Sequence, residues 1–162
     1  MEILIRKAVP EDRMRIRPLQ KQIADLHHRG RPDLFKTEAR YFTPEDFTKR
    51  LEDPDHTVLI AQTPEGAVVG YAFAWVISYR DHSTYRDFDR FYIDDLCVLD
   101  SCRRKGIGRQ LFDRCVQIAL SRGCKDVELG VWGFNRDAIA FYEGCGMTER
   151  VRRMELSLEE TV

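Results

Sequence analysis

The chain has 162 residues, long enough for one domain with a hydrophobic core of its own. Hydrophobic residues make up 43% of the chain, charged residues make up 33%, and the formal net charge is −1. This composition excludes a disordered chain, and the near-neutral charge argues against a general nucleic-acid or membrane-surface binder.

Targeting signals and cysteine spacing indicate where the protein works. No apolar stretch reaches the length of a membrane span, and the opening residues MEILIRKAVP lack the form of a signal peptide. The five cysteines are odd in number and include no C-x-x-C pair; they are Cys97, Cys102, Cys115, Cys124 and Cys145. We therefore expect a cytoplasmic protein without a disulfide framework or a metal site, and we expect Cys97 and Cys115 to be small buried residues.

The first part of the chain predicts a strand followed by a helix. Residues 3–9 alternate between apolar and polar side chains, as a half-buried strand does. Residues 10–28 then carry an apolar stripe at helical spacing, after acidic start signals. Pro18 lies inside this helix and predicts a kink.

A second helix and a β-hairpin follow. Thr43 is a good N-cap and Pro44 suits the first helical position, so the sequence predicts a helix over residues 43–53. Residues 57–62 and 67–77 are rich in apolar and β-branched side chains and are separated by Thr-Pro-Glu-Gly. This spacing predicts two antiparallel strands.

The second half begins with a strand over residues 91–99, followed by a glycine-rich loop and a helix that Gly123 is placed to end. A strand is predicted next, over residues 126–132. The order strand, loop, helix, strand is a βαβ unit, whose two strands run parallel.

The last predicted elements are a short helix over residues 136–145 and an alternating strand over residues 150–158. Together the elements predict an α/β fold with a mixed, mostly antiparallel sheet, a central parallel βαβ unit and flanking helices. We expect residues 1–162 to form a single domain.

The glycine loop is the strongest functional signal from the residues themselves. A turn between a strand and a helix can leave several backbone N–H groups pointing at one spot, at the positive end of a helix dipole, where they bind a phosphate oxygen. Gly106 and Gly108 would let the backbone approach the anion closely. The neighbouring cations are Arg103, Arg104, Lys105 and Arg109. The alternative is a solvated basic turn whose glycines merely connect two elements.

Two common phosphate motifs do not fit this loop. A dinucleotide fingerprint requires a third glycine where the chain has Leu111, and no acidic residue closes the second strand for a ribose. A P-loop requires Gly-Lys-Ser/Thr, which is absent.

The loop resembles the Q/R-x-x-G-x-G/A signature of the GNAT superfamily of acetyl-CoA-dependent N-acyltransferases. Arg103-x-x-Gly106-x-Gly108 carries the match, within the segment YIDDLCVLDSCRRKGIG. NRDAIAFYEGCGM downstream and IRKAVPEDRMRI near the start extend the resemblance over most of the chain. Residues 20–45 and 78–90 match no motif.

The resemblance implies acetyl-CoA as co-substrate and no metal. It implies that the loop holds the pyrophosphate through backbone amides, with its cations as secondary contacts, and that the preceding strand pairs with the pantetheine arm. A backbone N–H of that strand would face the thioester oxygen. The residues implied are Arg103, Arg104, Lys105, Gly106, Ile107, Gly108 and Arg109 in the loop, Leu96, Cys97 and Val98 in the strand, and Asn135 and Ala138 downstream.

The resemblance also implies a catalytic set. Tyr142 falls on the family's general-acid position, where a phenol protonates the departing thiolate. The Asp94-Asp95 pair is similar to the acidic pair of polyamine acetyltransferases, which makes Asp94 the candidate base and Asp95 a substrate-positioning or structural group. Either carboxylate could instead accept structural hydrogen bonds. Asn135 could equally serve as a helix N-cap.

Strand periodicity places the two aspartates on opposite faces, with Asp94 on the face of Tyr92, Leu96 and Val98. The pair His27 and His28 is expected to be exposed at the end of the first helix, where the dipole favours it.

The sequence thus predicts an N-acetyltransferase that moves an acetyl group from acetyl-CoA to a primary amine by direct attack in a ternary complex. The acceptor is left open between a small-molecule amine and a peptide or protein amine, and residues 40–42 and 79–92 could line its cleft. Final-strand pairing, common in the family, makes a homodimer an option. The alternative is a non-catalytic acyl-CoA-binding or sensing module.

Overall fold

The computed structural model describes residues 2–37 and 42–158 of the chain. It contains two compact units, Met1–Gly130 and Val131–Val162. Within the described residues, no helix is both long and apolar enough to cross a membrane.

The first unit contains five strands and three α-helices. In chain order they are β1 (Leu4–Lys7), α1 (Asp12–Gly30), α2 (Pro44–Glu52), β2 (His56–Gln62), β3 (Val68–Tyr79), β4 (Phe88–Val98), α3 (Ile107–Ser121) and β5 (Asp126–Leu129). A short 3₁₀ turn, Asp100–Cys102, lies between β4 and α3. The second unit contains α4 (Arg136–Gly144).

The five strands form one sheet in the order β1-β2-β3-β4-β5. Every neighbouring pair is antiparallel except β4 and β5, which run parallel on either side of α3. The predicted fold class is confirmed, and the parallel pair lies at the β5 edge of the sheet.

The sheet is covered on both faces. On one face, Ile16 and Leu19 of α1 and Phe47 of α2 pack with Tyr71 and Phe73 of β3 in a fully buried cluster. On the other face lies α3, whose buried side chains are Ile107, Leu111, Phe112, Cys115 and Ala119. These two layers hold β4 between them.

Gly70 sets how closely α3 approaches the sheet. A Cβ at this position would lie 3.1 Å from both a Leu111 methyl and the Cys97 carbonyl oxygen. Such a contact is tighter than most Cβ contacts in proteins, so a larger residue at this position would require α3 or the Leu111 side chain to shift away.

Two strand predictions needed correction. β3 extends to Tyr79 and β4 begins at Phe88, because Ser78 pairs with Asp89 and Tyr79 pairs with Phe88 across the hairpin. Residues 151–158 form no strand, although their apolar side chains alternate. A strand requires a hydrogen-bonded neighbour, and the unit Val131–Val162 contributes no second strand among its described residues.

The start of α1 is fixed by a buried ion pair. The Asp12 side chain is 0% exposed and accepts hydrogen bonds from Arg6 of β1, at 2.7 and 3.1 Å, and from the Val9 amide at 2.9 Å. Burial alone would raise the pKa of Asp12, but the hydrogen bonds from Arg6 and Val9 and the charges of Arg6 and Arg15 outweigh it and hold the pKa below its ordinary value. This pair therefore fixes where α1 leaves β1.

We expect Asp12→Ala to lower the free energy of unfolding by about 3 kcal/mol at neutral pH, because it leaves Arg6 and the Val9 amide without their acceptor. Since the pKa of Asp12 is lower in the folded state, its contribution is complete above the unfolded pKa of about 4 and is lost as the pH falls through the folded value. Urea unfolding of both proteins at several pH values measures this difference.

The control is Asp25→Ala, which removes a half-exposed carboxylate that pairs with Lys21 on the same helix. It should change stability little. Equal losses for the two variants would contradict the role assigned to Asp12.

Candidate active site

The glycine loop forms an open cradle of backbone donors at the start of α3. Gly106 is the residue before α3 and adopts φ 77°, in the left-handed region that favours glycine, and Arg104 also lies there at φ 61°. A Cβ at Gly106 would meet no atom within 4 Å, so the glycine is required for its backbone angle and not for space. In the described chain no side chain caps α3, which leaves the first N–H groups of the helix available to an anion.

The cations of the loop are exposed, and two of the four pair with carboxylates of the described chain. Arg103 lies 2.9 Å from Asp100, and Arg109 lies 2.8 Å from Asp113. Both pairs are solvent-exposed, so exchanging a carboxylate for a phosphate would cost little. The backbone of the loop is therefore the fixed part of the cradle, and the side chains are adjustable.

The strand β4 continues beyond its parallel partner. β5 pairs with residues 90–93 of β4 and then ends, whereas β4 runs on to Val98. In the sheet of the described chain, residues 95–98 are paired with β3 but with no strand on the β5 side. An extended ligand could add to this edge as an extra strand does.

Gln22 ties α1 to the end of β4, a role that the sequence did not reveal. Its amide nitrogen donates to the Val98 carbonyl at 3.0 Å, and its carbonyl oxygen accepts from the Asp100 amide at 2.9 Å. The contact fixes the point at which the chain leaves β4 for the glycine loop. A glutamine among polar helix residues carries no local signal for such a contact.

A β-bulge at Asp94 interrupts β4. Trp75 of β3 pairs with Tyr92, Ala74 with Ile93 and Phe73 with Asp95, so Asp94 is an extra residue without a partner. Tyr92 and Asp95 therefore lie on the face of Trp75 and Phe73, and Leu96 lies on the other face. The predicted grouping of Asp94 with Tyr92, Leu96 and Val98 is wrong, because the inserted residue shifts the alternation by one.

Asp95 is the most perturbed carboxyl of the site. Its side chain accepts a hydrogen bond from the hydroxyl of Tyr71, which is fully buried. Burial raises the pKa of Asp95 to about 7, and the neighbouring charge of Asp94 adds to the rise, against the Tyr71 hydrogen bond and the Leu96 amide. Such a carboxyl can both take up and release a proton near neutral pH.

Asp94 is exposed beside a group of aromatic and basic side chains. The neighbouring side chains still shield part of its carboxyl from water, which raises the pKa of Asp94, and the positive charge of Arg50 on α2 opposes the rise. The Arg50 guanidinium carbon lies 5.7 Å from the ring centre of Trp75, which in turn lies 5.2 Å from that of Tyr92. Sequence periodicity could not find this group, because its members come from α2, β3 and β4.

The thiols play no part in this arrangement. Cys97 and Cys115 are buried, as predicted, and burial raises the pKa of each to about 12. Neither thiol is a nucleophile at neutral pH.

The histidine pair at the end of α1 is half-buried, and the expected exposure is wrong. The ring of His27 stacks on Phe35 with centres 5.0 Å apart, and His28 Nδ1 lies 2.6 Å from the Phe35 carbonyl oxygen. Burial lowers the pKa of His27, so its charged form is disfavoured despite the helix dipole. Residues 31–37 fold back after α1 and place Phe35 against both histidines. Arg40 and Tyr41, named above as possible cleft residues, lie outside the described residues.

In the second unit, the predicted downstream motif frames α4. Asn135 caps the helix, since its side chain accepts from the Ala138 amide at 3.2 Å. Gly146, at φ 91°, ends it, and the Met147 amide bonds back to the Tyr142 carbonyl at 3.0 Å. Tyr142 therefore lies in the last turn of α4, with its half-buried ring 5.1 Å from that of Phe141.

Comparison with known proteins relates this geometry to a family. The model of the Acetyltransferase (GNAT) family matches residues 21–147. The thialysine N-epsilon-acetyltransferase of Bos taurus is 29% identical over 102 residues, covering 59% of this chain and 57% of the bovine protein. The L-ornithine N5-acetyltransferase of Arabidopsis thaliana is 30% identical over 96 residues, covering 59% of this chain and 41% of the plant protein. The chain thus spans about half the length of these curated relatives.

A solved structure is similar over nearly its whole length. A mutant of the BH1408 protein from Bacillus halodurans superimposes with a TM-score of 0.92 at 28% identity, covering 96% of this chain and 99% of that one. Since the family match takes in well over half of the residues and the fold agrees, the chain belongs to the GNAT family of acetyltransferases.

Proposed function

We propose that this protein is an N-acetyltransferase that moves the acetyl group of acetyl-CoA to a primary amine by direct attack in a ternary complex. The observation that carries the proposal lies in the first unit. An uncapped helix start with a left-handed glycine follows directly on a strand that has an unpaired edge and two carboxyls with raised pKa values. Family membership supplies the reaction class.

The fit of the co-substrate rests on the donor set of the loop. Acetyl-CoA supplies a pyrophosphate anion and an acetyl thioester. The N–H groups of Ile107, Gly108 and Arg109 at the start of α3 would bind the anion, because a helix N-terminus carries partial positive charge. Leu96, Cys97 and Val98 would hold the pantetheine arm along the open edge of β4, with a backbone N–H directed at the thioester oxygen.

The carboxyls of β4 handle the proton of the amine. An alkylammonium has a pKa near 10 and must lose a proton before its nitrogen can attack. The resemblance names Asp94 as the candidate base. The pKa of Asp95, about 7, makes Asp95 the stronger candidate in the structure, and the charge of Asp94 acts on it.

Tyr142 is proposed as the general acid that returns a proton to the departing thiolate sulfur, and Asn135 and Ala138 as cofactor contacts beside it. The structure gives Asn135 a capping role, which is compatible with a contact from its amide group. On this proposal residues 1–162 act as one N-acetyltransferase domain, without a metal.

The relatives favour a small-molecule acceptor. The matched proteins are named for the acetylation of thialysine and ornithine, both of which are amino acids with a primary amine on the side chain. A non-catalytic acyl-CoA-binding module would bind the co-substrate without releasing CoA when amines are added.

Gly106→Val should weaken acetyl-CoA binding at least 10-fold, because a β-branched residue disfavours the left-handed angle and the cradle relaxes. Isothermal titration calorimetry with acetyl-CoA measures the affinity. Gly123→Val is the matched control, since Gly123 has φ 69° and equally open surroundings at the far end of α3. Equal acetyl-CoA affinities for the two variants would contradict the proposal that the loop at Gly106 binds the co-substrate.

The pH dependence separates the two carboxyls. We expect kcat/KM to fall below about pH 7 as Asp95 takes up a proton. Asp94→Asn should shift this acidic limb of the pH profile of kcat/KM to lower pH, because the charge of Asp94 raises the pKa of Asp95. Asp95→Asn should abolish the limb. If Asp94→Asn abolishes it and Asp95→Asn does not, Asp94 is the base.

Tyr142→Phe should lower kcat by about 100-fold with little change in acetyl-CoA affinity, because it removes a proton donor and keeps the ring. Steady-state CoA release measures kcat. Ser121→Ala, which removes an exposed hydroxyl at the end of α3, should leave turnover unchanged. An unaltered kcat in Tyr142→Phe would show that another group protonates the sulfur.

A further inference from the structure

An open pocket of about 360 Å³ lies between α2 and the start of β2. Its lining residues are Phe42, Asp46, Lys49, Arg50, Asp53 and His56. The volume is within the range of small-molecule sites. It is joined to the bulge through Trp75, whose ring contacts both His56 and Tyr92.

Arg50 is the cation in this pocket that is held in place by packing. Its guanidinium lies 4.5 Å from the ring centre of Phe42 and 5.7 Å from that of Trp75. Among the described residues it forms no ion pair within 4 Å, although many arginines of the chain do. The planar fork of an arginine held on aromatic rings is suited to a carboxylate, which it can bind with two parallel hydrogen bonds.

The carboxylates of the pocket are already engaged. Asp53 accepts from the Asp55 amide at 2.8 Å and lies 2.9 Å from His56 Nδ1. Asp46 accepts from the Thr43 hydroxyl at 2.9 Å. Since Lys49 and Arg50 also line the pocket, it presents both signs of charge, which suits a zwitterion better than a simple polyamine.

Trp75 links Arg50 to the bulge. Its ring centre lies 5.7 Å from the Arg50 guanidinium carbon and 5.2 Å from the ring centre of Tyr92, two residues before Asp94. A strand rises about 3.3 Å per residue, so Asp94 lies about 6 to 7 Å further along β4. An acceptor with two polar ends joined by a few methylene groups is therefore of the right kind to contact both Arg50 and the bulge.

We propose that Arg50 binds the α-carboxylate of an amino-acid acceptor whose side-chain amine reaches the carboxyls at the bulge. This inference rests on the proposed function and makes Arg50 the residue that selects amino acids over the amines obtained by removing their carboxyl group. The Phe42 and Trp75 rings hold the guanidinium in place and exclude water from one side of it.

The experiment compares matched acceptors. CoA release is measured with L-ornithine and putrescine and with L-lysine and cadaverine, for the wild type, Arg50→Gln, Arg50→Lys and Arg114→Gln. The control is Arg114, an exposed arginine of α3 that donates to the side chain of Gln117.

The wild type should prefer the amino acid of at least one pair. Arg50→Gln should lower kcat/KM for that amino acid by about 10- to 100-fold and change kcat/KM for the matching diamine by less than about 3-fold. Arg50→Lys should recover part of the loss, and Arg114→Gln should behave as the wild type.

Two results would overturn the assignment: a wild-type preference for both diamines, or equal losses for amino acid and diamine in Arg50→Gln. The acetyl-CoA affinity and Tm of each variant show whether it folds correctly. If Arg50→Gln has a folding defect, Arg50→Lys decides instead, because it keeps the charge and most of the volume. The deciding quantity is again kcat/KM for the amino acid relative to kcat/KM for the matching diamine. Absence of CoA release with every amine would contradict the proposed function itself, whereas acetylation of diamines alone would contradict only the role of Arg50.

Discussion

The bulge at Asp94 is the constraint on which the candidate site depends. One unpaired residue in β4 turns Asp95 towards Tyr71 and the layer of α1 and α2, and leaves Asp94 exposed next to it. β5 stops pairing at residue 93, just before the bulge. The same short segment of β4 therefore carries an open backbone edge and two coupled carboxyls, which the proposed reaction would use at neighbouring positions.

The supports of β4 explain why an irregular strand can persist. α1 is fixed to β1 by the buried Arg6–Asp12 pair, and its Gln22 then holds both Val98 and Asp100. On the opposite face, Gly70 lets α3 approach closely enough for Leu111 to pack on the sheet. Because both layers are rigidly seated, the cost of the bulge and of the left-handed loop residues is offset by packing elsewhere.

Local rules predicted those features that depend only on neighbours in the chain. Thr43 caps α2 by accepting from Asp46, and Asn135 caps α4 in the same way. Gly123 ends α3 in the left-handed region, as its position after the apolar stripe predicts. The antiparallel hairpin, the parallel β4–β5 pair and the glycine loop also follow from the chain order. The strand predicted over residues 150–158 fails, because alternation cannot supply the partner that a strand needs.

The sequence by itself determined the order of the elements, the position of the glycine loop and the family to which the chain belongs. Only the tertiary structure decided the faces of β4, since a bulge is a mismatch between two strands and leaves no mark in one of them. It also decided that burial raises the pKa of Asp95 to about 7, and it placed Asp95 against Tyr71, which lies 24 positions away in the chain. The position of Arg50 beside Phe42 and Trp75 depends in the same way on how α2 packs against the sheet, because these three residues are far apart along the chain and meet only in the fold.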